Sequence, residues 1–278
     1  MTPSSPPRNW WVAVPSVVTL GNAACGFTAI VLISHLRIDP QTQMYLNPEM
    51  LVAAAWLLLA GFVCDMFDGL LARLLKASSD FGANLDSLSD VITFGVAPAL
   101  VVTAMTRTVH GPWLATAGWV CGGALLMGAI VRLARFNTEN MNEEGGHLYF
   151  KGLPSPSAAN AIASLILLES SLRHDPRWQA CFTGALAVRL ADGLIGLMPV
   201  IALSIAALMV STFRYADLPK HYLNRLQPAW HLAILAVALV ALGPAIAFAV
   251  LFVGYVLHRP CVAMLSRLIS KRQDAAAT

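Results

Sequence analysis

Long apolar runs constrain this chain more than any other feature of its sequence. A helix that crosses a bilayer needs about 20 mostly apolar residues. Such runs lie at roughly 15–34, 49–72, 87–105, 114–134, 153–172 and 193–213. Only 12% of the residues are charged, against about 25% in a typical soluble protein. The chain therefore has too little polar surface for a water-facing body, and we predict an all-α, polytopic membrane helix bundle.

The last apolar stretch, 229–257, is too long for one straight span and contains the helix-breaking pair Gly243-Pro244. We interpret it as a hairpin of two helices, which gives about eight transmembrane helices with a six-helix catalytic core. The alternative is one kinked helix and seven spans. Basic residues collect on the cytoplasmic side, and both tails are basic, so an even number of spans is favoured. The short segment 178–192, interrupted by Arg189 and Asp192, is predicted to be an interfacial or re-entrant helix.

These patterns divide the chain into four parts. They are a disordered cytoplasmic tail at 1–14, a catalytic membrane domain at 15–225, a C-terminal transmembrane hairpin at 226–258 and a basic cytoplasmic tail at 259–278. The net charge of +3 is small, and we expect no nucleic-acid partner. The five cysteines are scattered without metal-ligand spacing and are interpreted as packing residues.

Four aspartates flank the connection between the second and third predicted spans. Asp65 and Asp68 lie three residues apart, and Asp86 and Asp90 lie four apart, so each pair shares one face of a helix. A short connection around 78–82 makes the two helices antiparallel neighbours. We therefore expect four carboxylates to converge at the cytoplasmic membrane boundary, where charges are costly and indicate function.

Carboxylates this close repel one another, and cation binding or protonation must relieve the repulsion. Oxygen ligands suit Mg²⁺, Mn²⁺ or Ca²⁺, and no His or Cys is placed to favour zinc. Two such ions can hold the attacking and leaving oxygens of a displacement at phosphorus. We predict two divalent cations, Mg²⁺ or Mn²⁺. The alternative, a charged helix end solvated in a loop, accounts for Asp80 and Asp86 but not for four aspartates in phase with Gly69 and Gly82.

The full spacing resembles the signature of the CDP-alcohol phosphotransferase family, with eight fixed positions over 26 residues. It reads Asp65-x2-Asp68-Gly69-x2-Ala72-Arg73-x8-Gly82-x3-Asp86-x3-Asp90. The resemblance implies a membrane enzyme with a dinuclear metal site, at which an acceptor hydroxyl attacks a lipid-linked phosphorus and releases CMP. It implies metal binding by Asp65, Asp68, Asp86 and Asp90. It also implies a CDP site lined by Asp65, Gly69, Ala72, Arg73 and Gly82.

The resemblance further implies that Asp90 is the general base. The role also makes chemical sense, because an alcohol is a poor nucleophile until a positioned carboxylate removes its proton.

Three further segments resemble bacterial phosphatidylserine synthases. They are Pro15-x3-Thr19-x2-Asn22-x3-Gly26-Phe27, then Leu133–Asn137 with Lys151–Pro156, and Leu208–Ser211 with Arg214-Tyr215 and Lys220. They imply CDP-diacylglycerol and L-serine as substrates, with phosphatidylserine and CMP as products. They also imply a homodimer in the bilayer of a bacterial inner (cytoplasmic) membrane, with the active site facing the cytoplasm. The alternatives are another CDP-alcohol phosphotransferase, of the phosphatidylglycerophosphate synthase type, and more remotely a divalent-cation transporter.

A serine acceptor needs a cationic partner for its carboxylate. Arg132, Arg135 and Asn137 lie together at one predicted helix end, with Lys151 across the next loop, and Arg suits carboxylate or phosphate recognition. Ordinary cytoplasmic charge accounts equally well for Arg132 and Lys151. Arg135 is expected on the acceptor carboxylate or on the lipid diphosphate.

Thr19 and Asn22 are polar residues within the first apolar run and complete the candidate substrate-binding set. Asn22 is expected either to contact cytidine or phosphate or to make a hydrogen bond between helices.

Overall fold

The computed structural model describes residues 14–39, 41, 44–75, 79–107, 111–142, 149–181, 184–216 and 243–277. Its elements in chain order are α1 (Val14–Ser34), α2 (Glu49–Leu74), α3 (Asp80–Asp90), a π-helical segment (Val91–Val96), α4 (Ala97–Met105), α5 (Pro112–Asn142), β1 (Tyr149–Lys151), α6 (Ser155–His174), α7 (Pro176–Cys181), α8 (Gly184–Val210), β2 (Arg214–Ala216) and α9 (Pro244–Ala277). Residues 1–13 of the tail predicted at 1–14, the first helix of the predicted hairpin and Lys220 lie outside the described residues.

The helical membrane bundle predicted from the apolar runs is confirmed. Among the described residues, six helices are long and apolar enough to cross a membrane. They are Val14–Ser34, Glu49–Leu74, Asp80–Met105, Pro112–Thr138, Gly184–Val210 and Pro244–Ala263. The total of eight spans stays a prediction, because residues 217–242 are not among those described.

The run at 153–172 forms α6, which lies at the centre of the bundle. It packs against α2, α8 and α9, and most of its side chains are buried. Its polar positions, including Ser157, Asn160 and Ser164, are therefore covered by protein rather than by lipid. A central helix with polar side chains is less apolar than a lipid-facing one, which is why it falls outside the six.

The region from 176 to 192 differs from the prediction of a separate interfacial helix. Residues 176–181 form the short α7, whereas Arg189 and Asp192 lie in the first turns of the long α8. The charge at Asp192 is compatible with this continuous helix because Arg173 of α6 donates a hydrogen bond to it over 2.6 Å. A cross-helix ion pair of this kind is not visible in the local sequence pattern.

A helix begins at Gly243-Pro244, where the sequence predicted a break; the residues before it, 217–242, are not among those described. Gly243 has φ +81°, a left-handed conformation that favours glycine, and α9 begins at the following proline. The helix then continues through residues 259–277, where the sequence indicated only a basic tail.

A two-stranded antiparallel ribbon joins the segment before α6 to the exit of α8, with Phe150 opposite Tyr215. Gly152 follows the first strand with φ +84°, and a Cβ there would lie 2.3 Å from the Met209 carbonyl oxygen. The two segments that resembled phosphatidylserine synthases at Lys151–Pro156 and Leu208–Ser211 are thus held together. Burial raises the pKa of Tyr215 to about 12, so its hydroxyl stays protonated and donates to the Val256 carbonyl oxygen.

Candidate active site

The predicted hairpin of α2 and α3 brings three of the four aspartates together. Asp65 and Asp68 lie on α2 and Asp86 on α3, and one carboxylate oxygen from each lies within 4.8 Å of the others. The start of α3 is fixed by Ser79, whose hydroxyl accepts a hydrogen bond from the Gly82 backbone N–H over 3.1 Å. We call this end of the bundle the carboxylate end, and the end where α1 finishes and α2 begins the opposite end.

Two carboxylate oxygens of this cluster have no hydrogen-bond partner among the described residues. They are Oδ2 of Asp68 and Oδ1 of Asp86, and both are buried. A buried polar atom without a partner is costly, and a cluster of such oxygens suits a hard divalent cation. The donor set therefore fits the predicted metals.

Asp90 lies one helical turn beyond Asp86 and is 7% exposed. It is near enough to Asp65 and Asp86 to experience their charges, although it is not one of the three residues that meet within 4.8 Å. The side-chain amide of Asn22, on α1, donates a hydrogen bond to Asp90 Oδ1 over 3.2 Å. The interhelical hydrogen bond considered for Asn22 is thus present, and its partner is the predicted base.

The π-helical segment begins directly after Asp90 and is held against α1. Thr93 donates a hydrogen bond to the backbone carbonyl of Asn22 over 2.9 Å. A Cβ at Gly26 would lie only 2.4 Å from the Thr93 hydroxyl oxygen, so glycine permits this close crossing. Wide helical turns of this type are frequent at functional sites. No sequence pattern marks Thr93. The one signal that could have found it is Gly26 of the first-span motif, because a glycine within a helix permits a close approach.

A cavity of about 170 Å³ opens beside the aspartates. Residues of α1, α2 and α3 line it: Pro15, Ser16, Thr19, Asp68, Gly69, Ala72, Ser79, Gly82, Ala83 and Asp86. Gly69, Ala72 and Gly82 therefore lie where the family resemblance implied the nucleotide site. A Cβ added at Gly69 would meet no atom within 4 Å, so this glycine borders open space.

Arg73 and Arg132 differ from the sequence-based expectation in their exposure to solvent. Arg73 is exposed and is not among the residues that line the cavity. Arg132 is buried on α5, donates a hydrogen bond to the Ser155 hydroxyl over 2.8 Å and lies 5.5 Å from the centroid of the Phe136 ring. Its charge acts on Asp90 and Asp65. Arg132 is therefore not an ordinary solvated cation of a cytoplasmic loop.

The remaining candidates for the acceptor pocket occupy the rim of the carboxylate end. Arg135 donates hydrogen bonds of 3.3 Å to the carbonyls of Val210 and Ser211 at the end of α8. Asn137 donates to the Ser87 hydroxyl over 2.9 Å, which ties α5 to the helix that carries Asp86. Lys151 lies in the first strand of the ribbon, and its side chain is outside the described set.

The chain is similar to known proteins over most of its length. The family model described as CDP-alcohol phosphatidyltransferase matches residues 12–191. The chain is 29% identical over 217 residues to the CDP-diacylglycerol–serine O-phosphatidyltransferase of Bacillus subtilis, covering 77% of this chain and 96% of the relative. It is 28% identical over 268 residues to the protein of that name from Mycobacterium tuberculosis, covering 94% and 82%. An archaetidylserine synthase of Methanothermobacter thermautotrophicus is 35% identical over 159 residues, covering 56% and 59%.

Proposed function

Because this chain belongs to the CDP-alcohol phosphatidyltransferase family, we propose that it transfers the phosphatidyl group of CDP-diacylglycerol to the hydroxyl of L-serine. The products are phosphatidylserine and CMP. The observation that carries the proposal is the meeting of Asp65, Asp68 and Asp86 within 4.8 Å, with unpartnered oxygens, beside the cavity lined by Gly69 and Gly82. The choice of serine is supported by relatives whose names specify serine on two different lipids.

Asp65, Asp68, Asp86 and Asp90 would hold the two divalent cations, Mg²⁺ or Mn²⁺. When bound, such ions neutralise negative charge on the phosphates and stabilise the leaving group. The cavity beside Asp68 would take the cytidine diphosphate, because Gly69 leaves room for a ligand to approach the α2 backbone.

The general base acts on the acceptor. Asp90 accepts the proton of the serine hydroxyl, and the oxygen forms a bond to the lipid-linked phosphorus. The bond between that phosphorus and the CMP oxygen breaks, and CMP leaves with the electron pair. The proton then passes from Asp90 to water, which restores the carboxylate. Burial of Asp90 limits competing attack by water.

Arg132 is the residue that best suits the serine carboxylate. Arg132 and Asp90 are near enough for their charges to interact, so we place the serine hydroxyl at Asp90 and its carboxylate toward Arg132. The hydrogen bond from Arg132 to Ser155 fixes the guanidinium on α6, and a fixed guanidinium loses little freedom when it binds an anion. Arg135, Asn137 and Lys151 would complete the entrance for the polar acceptor.

The carboxylate end is proposed to face the cytoplasm of a bacterial cell, across the inner membrane. Arg73 and Arg135 lie at this end, in agreement with the bias of basic residues toward the cytoplasmic side. The homodimer implied by the family resemblance stays a prediction, which crosslinking of the full chain in nanodiscs tests.

The acceptor is tested with the purified full chain in lipid nanodiscs. CDP-diacylglycerol and Mn²⁺ or Mg²⁺ are supplied with serine, glycerol 3-phosphate or inositol phosphate, each alone, and CMP release is measured. We expect release with serine and phosphatidylserine as the lipid product. Release with glycerol 3-phosphate but not serine would favour the phosphatidylglycerophosphate synthase type. Ion flux in liposomes without CMP release with any alcohol would favour a transporter.

A further inference from the structure

Asn22 has a place in the molecule that substrate binding alone does not explain. It lies on α1, is 0% exposed and is outside the set of residues that line the cavity beside Asp68 and Gly69. Its side-chain amide is instead directed at Asp90, with 3.2 Å between Nδ2 and Oδ1. The residue thus contacts the proposed base rather than the space proposed for the nucleotide.

The backbone and the side chain of Asn22 both contact neighbouring elements. The Thr93 hydroxyl, itself 0% exposed, donates to the Asn22 carbonyl over 2.9 Å. On the other side, a Cβ at Gly61 of α2 would lie 3.0 Å from Asn22 Oδ1. Asn22 is therefore packed against α2 and hydrogen-bonded to the π-helical segment. Its position is coupled to the helix that carries Asp65 and Asp68 and to the segment that directly follows Asp90.

We infer that Asn22 is a positioning residue for the general base, an inference that rests on the proposed function. An aspartate side chain has free rotation about two bonds, and its two oxygens are otherwise equivalent. The amide of Asn22 holds Oδ1 of Asp90 and leaves Oδ2 as the oxygen that receives the proton of the acceptor. The orientation matters because proton transfer needs the two oxygens at hydrogen-bond distance, and small displacements of a catalytic group lower the rate strongly.

Replacement of Asn22 should therefore reduce turnover and leave substrate binding nearly unchanged. For Asn22→Leu, which has a similar volume but no donor, we expect kcat to fall about 10- to 100-fold, the effect of losing one hydrogen bond to a charged group. The KM for serine and the affinity for CDP-diacylglycerol, measured by retention of the radiolabelled lipid, should change by less than about threefold. The reason is that Asn22 contacts Asp90 and lies outside the residues that line the cavity, so substrate binding itself is not affected. Asn22→Ala should behave in the same way.

Thr93→Val supplies a second, independent variant. It removes the hydroxyl that holds the Asn22 carbonyl but keeps the branched shape at the close crossing with Gly26. We expect a smaller loss of kcat in the same direction, again with unchanged CDP-diacylglycerol retention. Thr28→Val is the matched control, because Thr28 is on the same helix and its hydroxyl bonds only to the Ala24 carbonyl within that helix. Its kcat should equal that of the unmodified chain.

Three results would overturn the inference. Loss of CDP-diacylglycerol retention in Asn22→Leu would show that Asn22 contacts the nucleotide directly. Normal kcat in Asn22→Leu combined with a loss in Asn22→Ala would show that Asn22 only fills space. Equal kcat in all variants would show that Asp90 needs no support from α1. If the acceptor is an alcohol other than serine, the same comparison is made with that alcohol, so the two proposals fail separately.

Discussion

Among the described residues, two clusters of acidic side chains lie at the two ends of the apolar bundle, and they are arranged in opposite ways. At the opposite end, Glu169 and Asp192 share Arg173, whose guanidinium donates to both carboxylates. At the carboxylate end, Asp65, Asp68 and Asp86 face one another, and two of their oxygens have no partner among the described residues. The cluster at the opposite end contains a cation of the protein itself, Arg173, whereas the cluster at the carboxylate end is arranged to bind a cation from outside the chain.

The comparison shows how a membrane protein separates structural charge from functional charge. A buried carboxylate with an arginine partner has its cost offset within the protein. Three carboxylates that face each other have no such compensation, and the arrangement is retained only where binding of a ligand repays it. Arg132 does not balance the cluster, because one guanidinium carries a single positive charge against four aspartates, and its hydrogen bond to Ser155 is to a neutral hydroxyl.

The largest expected effect is a loss of turnover that follows substitution at the carboxylate end and not at the opposite end. Asp90→Asn should lower turnover about 100- to 10,000-fold, the usual contribution of a general base, while retention of CDP-diacylglycerol stays largely intact. Asp65→Asn should impair Mn²⁺ binding and CDP-diacylglycerol retention as well, because Asp65 is one of the three converging residues. CMP release and lipid retention are measured on the same preparations.

Asp192→Asn is the matched control from the opposite end, and its turnover should remain within about twofold of the unmodified chain, as expected for a change away from the site. Unimpaired turnover in Asp90→Asn would remove the assignment of the base. A loss of turnover in Asp192→Asn as large as in Asp90→Asn would remove the distinction between the clusters.

An effect of intermediate size is expected at the opposite end, where a substitution should lower stability without changing turnover. Arg173→Met leaves Glu169 and Asp192 without their cation. The Arg173 and Glu169 side chains are 14% and 12% exposed and form the buried pair, whereas Asp192 is 35% exposed and partly solvated. Removing one partner of a buried pair costs about 3 kcal/mol, so the unfolding temperature in detergent should fall markedly. Turnover per folded molecule should not change, as judged by CMP release at a temperature where the variant remains folded.

The double replacement Arg173→Met with Glu169→Gln should recover part of the lost stability, because one uncompensated charge is then absent. If Arg173→Met lowers turnover at unchanged stability, the opposite end has a catalytic role and the comparison is wrong.

The sequence predicted the carboxylate end far better than the opposite one, and the reason lies in the distance between partners. Asp65, Asp68, Asp86 and Asp90 are close in sequence, and helical periodicity places them on facing surfaces of a hairpin. The helix start at Gly243-Pro244 was predictable for the same reason, because it depends on two adjacent residues. By contrast, the partner of Asp192 is 19 residues away on another helix, and no spacing rule connects them.

Arg132 and Asn22 show the same limit within the site itself. The sequence placed Arg132 at a helix end and Asn22 in an apolar run, but it did not show which surface each faces. Arg132 is hydrogen-bonded to Ser155, which lies 23 residues further along the chain at the start of α6. The contact from Asn22 to Asp90 joins residues 68 positions apart. Such contacts arise from tertiary packing, so they become visible only once the helices are placed.

The smallest expected effect sharpens the role of Arg132 at the carboxylate end. Ser155→Ala removes the hydroxyl that fixes the guanidinium, while the opposite-end pair of Arg173 is untouched. If Arg132 binds the serine carboxylate, the KM for serine should rise about tenfold, equivalent to one modest hydrogen bond, and CDP-diacylglycerol retention should stay constant. Ser164→Ala is the matched control, since Ser164 is buried on the same helix and bonds only to the Ala161 carbonyl. An equal rise in KM in both variants would indicate a general disturbance of α6. An unchanged KM in Ser155→Ala would contradict the proposal that Ser155 orients Arg132 for serine recognition.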